Sequence, residues 1–516
     1  MTGGRAGRIL KLAMGRIRPI GPIGLILLSA LATAGAAEVT WDTIIRLTTN
    51  PASQVTGYSG QHSVAVDGAG NVHVAWQDQR NVPYQTWYRR YDAATSTWQA
   101  ETVLTNQKAN CYPPSIACDS AGNVHLAWHV GDWNSLGVGI WAKRYNSGTH
   151  HWRADTLIDS TTTSYPQQYP SVACVPSTGD VAVAWYGSPD TGMNYQVFLK
   201  EWYPATGWDS AMQVSEAATN HDQVSVAAGA NGDLAVVWVG KDFGDGSYQV
   251  YCRRRVGGAW QGVERVSDIP LGLSQYAPCV AFDLENAVHV AWHGLNGGYY
   301  QVFHRMRGDG GWSNIDSISG TRPYQQQLAS IACDAAGRCH AVWCSQAGGT
   351  HYQLVYGQRD TDGVWSASAV LTALDSGDVS HPSIACEADS GIHIVWYDGH
   401  SGNQDVYYLH GAMPGSSGIE SRPPLFSHSY TRSATIVRGM LVLGAVGSRQ
   451  NTGYRAAPSD GGRCGQLLDA AGRRVLELRA GANDVRALAP GVYFVRGGGG
   501  MSEQGGAGTR KVVIQR

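Results

Sequence analysis

The chain has 516 residues with a formal net charge of −2 at pH 7, and only 15% of its side chains are charged. This balance excludes a strongly cationic protein that binds nucleic acid or an anionic membrane surface through charge alone. The 65 glycines and 18 tryptophans are instead typical of many short strands joined by tight turns, with indole rings packed between sheets.

Residues 1–37 have the composition of a secretory signal peptide. Basic residues precede an apolar run at 23–32, and small residues follow at 34–37 in an Ala-x-Ala-like cleavage context. The alternative is an uncleaved membrane anchor, but the apolar run is shorter than a membrane-spanning helix requires. We therefore expect export, and a mature protein that is secreted or displayed on the cell surface and has no membrane span.

A strand–turn–strand phrase at residues 114–128 recurs along the chain. Its turn contains Asp, Gly and Asn, residue types that tolerate the backbone conformation of a hairpin. The tryptophan that ends the phrase recurs, every 51 to 57 residues, as Trp76, Trp128, Trp185, Trp238, Trp292, Trp343 and Trp396. This period, with four short strands per unit, predicts an all-β fold, a seven-bladed β-propeller of four-stranded blades over residues 38–412.

The segment 39–49 predicts a strand with no hairpin before it. It matches the fourth strand of the later units, whose tryptophan recurs as Trp41, Trp98, Trp152, Trp208, Trp260, Trp312 and Trp365. No such tryptophan follows the seventh hairpin, which ends at Trp396. The segment 39–49 is therefore expected to complete the last blade by pairing with the strand around 404–408, because closing the ring removes an exposed edge.

The turns before the second tryptophan often carry aspartate and glycine, as in 92–98 and 360–365. They resemble degenerate Asp-box turns (Ser-x-Asp-x-Gly-x-x-Trp) of sialidase-like propellers, although the serine is missing and several turns lack the aspartate. The resemblance covers about residues 38–410 and implies the propeller fold, with these turns away from the ligand face. For an active sialidase it implies an arginine cluster, a tyrosine nucleophile with a carboxylate partner, and an acid.

The loops expected to form the ligand face contain few arginines, chiefly Arg80 and Arg322, and the mature chain has no Phe/Tyr-Arg-Ile-Pro phrase. Paired carboxylates hydrolyse glycosides, but aspartate is also a common turn former, and none stands out from the repeat as a catalytic acid. The sequence therefore favours binding over hydrolysis. The loop carboxylates are Asp78, Asp132, Asp190, Asp222, Asp242 and Asp398.

One histidine per blade precedes the first tryptophan in five of the seven blades. Neighbouring sheets pack about 10 Å apart, whereas zinc needs ligand nitrogens about 2 Å away. We therefore predict a structural role for this row and neither a metal nor a cofactor for the protein, since no glycine-rich loop has a phosphate-binding pattern. The row consists of His73, His125, His289, His340 and His393.

The ten cysteines do not indicate a disulfide framework. Cys118, Cys174, Cys333 and Cys386 occupy one slot of the repeat, where a cysteine more often fills a small apolar space than forms a bond. Cys333 and Cys339 flank one hairpin and are the pair that could bond.

The composition changes at residues 413–430 to a Pro/Ser/Gly linker, and residues 431–516 predict a small β-sandwich. The phrases at 488–496 and 509–514 resemble the C-terminal sorting domain of type IX secretion cargo, apart from a glycine-rich insertion at 497–508. The resemblance implies that the type IX secretion machinery is a partner.

Aromatic, amide and carboxylate side chains gather on the presumed ligand face. Flat rings beside such groups suit sugars and also protein contacts, although the tyrosines could instead cap blade edges. We expect an exported module that binds a glycan or a protein, with a sialidase-like glycoside hydrolase as the alternative. The residues predicted to contact the ligand are Tyr58, Asp78, Arg80, Tyr112, Asp132, Trp133, Tyr165, Tyr169, Tyr186, Tyr276 and Tyr324.

Overall fold

The structure is a computed structural model, and none of the residues that it describes is helical, so no helix among them could cross a membrane. The predicted signal peptide and most of the predicted linker lie outside the described residues. The structure describes residues 39–413 except 59, 132–138, 161–166, 189–193, 217–218, 243–245, 269–271, 348 and 388–390, and also residues 435–438, 440–443, 463–468, 473–479, 481–484, 491–497 and 509–515.

Seven antiparallel sheets follow one another along the chain and form the blades of a propeller, as predicted. We number the blades 1 to 7 by the order of their hairpins and label the strands A to D from the inside outwards. The A strands are Val64–Val66, Ser115–Cys118, Gln167–Cys174, His221–Ala228, Gln275–Phe282, Gln326–Cys333 and Ser380–Cys386. The B strands are Val72–Asp78, Val124–Val130, Val181–Gly187, Leu234–Gly240, Val288–Asn296, Cys339–Ser345 and Gly391–Asp398.

Strand B pairs with strand C along the whole length of strand B. Strand D consists of one or two short pieces, each of which pairs with strand C. The C strands are Gln85–Asp92, Gly139–Asn146, Gln196–Tyr203, Gln249–Val256, Tyr299–Gly308, Gln353–Arg359 and Asp405–Ala412. The D pieces of blades 1 to 6 are Thr97–Trp98, Thr102–Val103, His151–Trp152, Thr156–Ser160, Gly207–Trp208, Met212–Gln213, Ala259–Trp260, Glu264–Arg265, Gly311–Trp312, Asp316–Ser317 and Ala369–Val370. A further short strand, Gln54–Val55, pairs with strand B of blade 1.

The segment 39–49 completes blade 7, so the prediction of ring closure is confirmed. Its two pieces, Thr40–Trp41 and Ile45–Arg46, pair with Asp405–Ala412, with Trp41 opposite Gly411 and Ile45 opposite Tyr408. The last blade is therefore built from both ends of the propeller, and the ring has no unpaired seam there.

Each interface between neighbouring blades has its own core. The described residues contain seven clusters of buried apolar side chains, and each cluster combines two adjacent blades. The tryptophan of every B strand is at most 1% exposed. Because blades cover both faces of strand B, this strand is buried along its length, for example Val124–Val130, and the polar–apolar alternation of a half-exposed strand is absent from it.

The five-membered histidine row has the predicted structural role in at least four blades. In blades 1, 6 and 7 its Nδ1 lies 2.6 to 2.7 Å from a strand-C tyrosine hydroxyl. In blade 5 the corresponding nitrogen meets His304, 3.0 Å away. In all four the Nε2 lies 3.0 to 3.3 Å from a carboxylate of the A–B hairpin. The row therefore ties each hairpin to strand C of its own blade.

Cys333 and Cys339 form a disulfide across the A–B hairpin of blade 6. The other described cysteines are free and at least half-buried. This agrees with the expectation that most cysteines fill small spaces and that Cys333 and Cys339 are the pair that could bond.

The second unit, Ile419–Arg516, has separate sheets of its own. Five of its strands form one sheet and two form another, which is the all-β content predicted for this part of the chain. In chain order the strands are Thr435–Arg438, Met440–Leu443, Arg463–Leu468, Arg474–Arg479, Gly481–Asp484, Gly491–Gly497 and Thr509–Gln515.

Candidate functional site

The two ends of the ring differ in the loops that they present. In blade 3, Gln167 at the start of strand A pairs with Gly187 at the end of strand B, and Cys174 pairs with Val181. The segments that enter strand A and the loops from strand B to strand C therefore share one end, which we call the loop face. The A–B hairpins lie at the other end, the hairpin face.

Residues 57, 58 and 60–62 close the central channel of the propeller at the loop face; we call these residues the plug. The Gln61 side-chain amide donates to the backbone oxygens of Pro113 and Pro170, both 2.9 Å away, in blades 2 and 3. The Ser171 hydroxyl donates to the Gly60 oxygen at 2.9 Å. Beside the plug a cavity of about 10 Å³ remains, which is about the volume that one water needs.

Gly60 is required where the plug meets strand A of blade 4. Its φ is +81°, and a Cβ atom built on it would lie 2.4 Å from the Val224 backbone oxygen. No other residue type fits this conformation and this approach together. The channel is thus filled by backbone, and the loop face has a solid floor at its centre.

Tyr58 of the plug is 45% exposed and begins a group of packed rings that we call the aromatic cluster. Its ring centroid lies 4.7 Å from that of Tyr169 and 4.9 Å from that of His381. Tyr169 also contacts His129 at 4.7 Å and Tyr186 at 5.9 Å. The members of the aromatic cluster are Tyr58, Tyr112, His129, Tyr169, Tyr186 and His381, with Tyr112 stacked on His129 at 4.4 Å.

A repeated bulge in strand A places Tyr169 and His381 at this position. The register between strands A and B shifts between Gln168 and Ser171, and it shifts at the corresponding place in blades 4 to 7. Bulges re-aim side chains and are common beside binding sites. The bulge residues all have positive φ, between 44° and 57°, namely Tyr169, Gln223, Ala277, Leu328 and His381.

His129 fixes the bulge that carries Tyr169. Its Nδ1 accepts a hydrogen bond from the Tyr169 amide at 3.2 Å, and in blade 5 the Nδ1 of His293 accepts one from Leu328 at 3.3 Å. Burial lowers the pKa of His129 to about 3. The ring therefore stays neutral at ordinary pH and keeps the lone pair that this hydrogen bond needs.

A second group of rings lies on blades 4 and 5. The Tyr276 centroid is 5.6 Å from that of Tyr248, 6.0 Å from that of His293 and 6.1 Å from that of Tyr300. The Lys241 ammonium is 4.3 Å from the centroid of Tyr248. A cation over the face of an aromatic ring is attracted by the negative potential of that face. This group of rings therefore combines apolar surface with the positive charge of Lys241.

Asp222 is the one carboxylate at its position of strand A among blades 3 to 7, where the other blades carry Gln168, Tyr276, Gln327 and Ser380. The Oδ1 atom of Asp222 is buried without a hydrogen-bond partner in the described part of the chain. Burial raises the pKa of Asp222 to about 6, against a smaller opposite effect of His221 and Lys241. Among the loop carboxylates that the sequence offers, Asp222 therefore has a distinct environment.

Asp242 lies in the next loop of the same blade, and its pKa is lowered, opposite to that of Asp222. The His221 Nε2 lies 2.8 Å from its Oδ1, and the Thr219 hydroxyl donates to the same oxygen. Burial alone would raise the pKa of Asp242, but these hydrogen bonds outweigh burial and lower it. Two carboxyl groups with opposite shifts are a pattern of acid and base assignments in enzymes.

Asp78 and Arg80 are engaged within the protein. The Asp78 carboxylate accepts from the Trp76 indole at 3.1 Å and from the Arg80 guanidinium at 2.7 Å. Arg80 also pairs with Glu101 at 2.7 Å and lies 3.9 Å from the ring centroid of Trp87. Their polar groups shape the rim of blade 1.

Of the other predicted ligand residues, four belong to the aromatic cluster and Tyr276 to the second group of rings. Tyr324 is half-buried in the segment that enters strand A of blade 6. Asp132, Trp133 and Tyr165 lie outside the described residues. The plug, His129 and His381 are not predicted from the sequence, in which Asp222 is only one of several loop carboxylates.

The described residues contain two groups of three potential metal ligands, and within each group the ligand atoms lie within 4.8 Å of one another. The groups are His289, Cys333 and Cys339, and Asp119, His125 and Cys174. Cys333 and Cys339 of one group are joined by the disulfide. In the other, burial and nearby carboxylates raise the pKa of the Cys174 thiol, so it stays protonated, which disfavours metal binding. We assign both groups to packing.

No protein-family model and no curated protein matches the chain. Among solved structures, the polysaccharide lyase Uly1 is similar, with a TM-score of 0.50 and 10% identity over 72% of this chain and 99% of that one. The NanB sialidase of Streptococcus pneumoniae has a TM-score of 0.40 and 12% identity, over 73% and 71% of the two chains. The arabinofuranosidase of Fusarium graminearum has a TM-score of 0.42 and 13% identity, over 58% of this chain and 92% of that one. The chain is thus a seven-bladed β-propeller whose structural neighbours include sialidases, a likeness of fold alone.

Proposed function

We propose that the loop face binds a glycan and that the aromatic cluster is the floor of the site. The observation that carries this proposal is the position of Tyr58, which is exposed at the centre of the face and packed against Tyr169 and His381. A sugar ring stacks its C–H face on such a side chain, and the hydroxyls of the sugar reach polar groups around it.

The plug makes this surface shallow, because it fills the channel that would otherwise form a deep pocket. A shallow floor suits an extended chain, which can cross the face from one blade to the next. The second group of rings around Tyr276 offers a further stacking surface on blades 4 and 5. Both ring groups have side chains already packed against each other, so little rotamer freedom is lost on binding.

A glycan array with the purified protein tests this proposal. We expect retention of one class of glycans, and competition by the same glycan free in solution. Tyr169→Ala should weaken retention at least tenfold, since anchors in binding sites contribute more than about 1 kcal/mol. The matched control is Leu284→Ala, which truncates a 59% exposed side chain on the hairpin face. Equal retention by both variants would contradict the proposal.

Glycoside hydrolysis is the second candidate, and Asp222 is the observation that favours it. With a pKa near 6, its carboxyl group is partly protonated at neutral pH and could donate a proton to a leaving oxygen. The ionised Asp242 would be the partner. Release of reducing sugar from the array ligand, abolished by Asp222→Asn, would favour this candidate over binding alone.

We further propose that residues 1–37 are a signal peptide and that 431–516, after the linker 413–430, direct export to the surface through the type IX machinery. The sequence phrases support this proposal, as does the separation of Ile419–Arg516 as its own unit. Deleting the residues after 413 should leave a folded propeller in the periplasm. Normal surface delivery of the truncated chain would contradict the sorting role.

The turns between strands C and D are proposed to be degenerate Asp-boxes. In blade 1 the Asp92 Oδ1 accepts hydrogen bonds from the amides of Ala94 and Thr95, both at 3.1 Å. In blade 6 the Asp360 Oδ1 accepts one from Val364 at 2.8 Å. These contacts stabilise the turns, and they lie at the hairpin face, away from the proposed site.

A further inference from the structure

A cavity of about 120 Å³ lies between blades 2 and 3. It lies at one position of strand C. In every blade, the residue at this position pairs with the B-strand residue just before the tryptophan, as Ala142 pairs with Ala127. Blade 2 has the smallest side chain of the seven at this position, Ala142, where three other blades have tyrosine. The seven residues are Tyr88, Ala142, Leu199, Cys252, His304, Tyr356 and Tyr408.

The missing tyrosine leaves His125 without its usual partner. In blades 1, 6 and 7 the tyrosine hydroxyl meets the Nδ1 of the row histidine at 2.6 to 2.7 Å. His125 lines the cavity and is 5% exposed. Its buried Nε2, the atom that meets a hairpin carboxylate in blades 1, 6 and 7, also has no hydrogen-bond partner in the described residues.

The cavity has apolar and aromatic walls. Val172 and Val183 line it from blade 3, and Trp202 and Trp208 line it from the outer strands of that blade. Its volume is close to that of an engineered cavity of about 150 Å³ that holds one benzene molecule. It therefore has room for a body of about one phenyl ring.

Two arginines give the cavity a positive charge. The Arg144 guanidinium lies 4.0 Å from the Trp202 centroid, and Arg153 also lines the space. Arg90 and Arg254, at the register of Arg144 in blades 1 and 4, each pair with a carboxylate. No carboxylate lies within ion-pair distance of Arg144 or Arg153 in the part of the chain that the structure describes. Burial and the charge of Arg153 lower the pKa of Arg144, against a smaller opposite effect of Asp119.

We propose that this cavity binds a small organic anion, a carboxylate on a compact apolar body. The carboxylate pairs with Arg144 and Arg153, and the apolar body takes the place of the absent tyrosine side chain beside Trp202. The site is independent of the proposed glycan site. His125 follows the A–B turn at the start of strand B, near the hairpin face, whereas the aromatic cluster lies on the loop face.

Benzoate is the probe, measured by isothermal titration with the full chain. We expect saturable binding with a Kd below about 1 mM and at least tenfold weaker binding of uncharged benzyl alcohol. Ala142→Tyr restores the residue of blades 1, 6 and 7, fills the cavity and should abolish binding without lowering the melting temperature.

Arg144→Gln introduces the residue that blade 6 carries at this register, Gln358. It should weaken benzoate binding at least tenfold and leave the binding of benzyl alcohol unchanged. This variant decides the matter if Ala142→Tyr does not fold. Arg90→Gln, at the same register in blade 1, is the matched control and should bind as the parent does. Absence of benzoate binding up to about 10 mM, or equal binding by the parent and Arg144→Gln, would overturn the proposal.

Discussion

The Arg46 guanidinium lies 2.6 Å from the Asp405 carboxylate and joins the first strand of the propeller to its last blade. The Thr48 hydroxyl donates to the same carboxylate at 3.2 Å. Asp405 stands where five other blades carry glutamine. Each of these glutamines accepts a hydrogen bond from the hydroxyl of the residue two positions after strand D of its own blade. The contact between Thr48 and Asp405 that closes the ring is thus the hydroxyl contact found within the other blades. Its two residues come from opposite ends of the propeller sequence.

Loss of the closing tryptophan should destabilise the ring. Trp41 is half-buried, and its centroid lies 4.9 Å from that of Tyr356. We therefore expect Trp41→Ala to lower the free energy of unfolding by about 2 kcal/mol, less than the roughly 3–5 kcal/mol of a fully buried aromatic. Trp76→Ala, at a fully buried position, is the comparison and should show the larger value in denaturant melts. A negligible effect of Trp41→Ala would mean that closure adds little stability.

The plug depends on Gly60 for steric reasons. Gly60→Ala brings a Cβ within 2.4 Å of the Val224 oxygen at a φ of +81°. Gly232 has a φ of +88° with no atom within 4 Å of its Cβ position, so Gly232→Ala reports backbone strain alone, about 1 kcal/mol. Thermal melts should show a larger loss for Gly60→Ala, which should also weaken glycan retention. Equal losses of stability for the two variants would show that the structure accommodates the close contact with the Val224 oxygen at little cost.

Asp222→Asn should stabilise the protein in alkaline buffer. The pKa of Asp222 is raised in the folded state to about 6, so the unfavourable burial of its charge grows as pH rises through 6. At pH 8 we expect the amide to raise stability by about 1–2 kcal/mol, allowing for partial exposure. At pH 4, where the folded carboxyl is protonated, the two proteins should melt within about 0.5 kcal/mol of each other. The same gain at both pH values would show an effect other than charge.

Acid should destabilise the propeller through its buried neutral histidines. Burial lowers the pKa of His293 to about 3, so the unfolded chain binds a proton that the folded chain rejects between pH 6.5 and 3. Stability is therefore lost as pH falls through this window. His293→Gln introduces the residue that blade 1 carries at this register, Gln77, and should reduce the fall in melting temperature between pH 6.5 and 4, while the other buried histidines keep the remainder. An unchanged pH profile would exclude His293 as a contributor.

The architecture follows from the sequence because every blade repeats the same core. The spacing of the B-strand tryptophans, the unmatched strand at 39–49 and the histidine row each reflect a contact that recurs from blade to blade. The site is less predictable, since it lies where the repeat fails. The plug has no counterpart in other blades, and the raised pKa of Asp222 depends on burial by residues distant in sequence. A comparison of the blades at each register would have identified Asp222 as the one carboxylate of its column and Ala142 as the smallest residue of its column.

The affinity of Tyr58→Ala for the glycan that the parent retains best on the array tests the central claim most directly. Tyr58 is the exposed ring at the centre of the loop face, and its replacement leaves the hydrogen bonds of Gln61 in the plug in place. We predict at least a tenfold higher Kd by isothermal titration, with an unchanged melting temperature, while Leu284→Ala binds as the parent does. An unchanged Kd for Tyr58→Ala would contradict the assignment of the aromatic cluster as the glycan site.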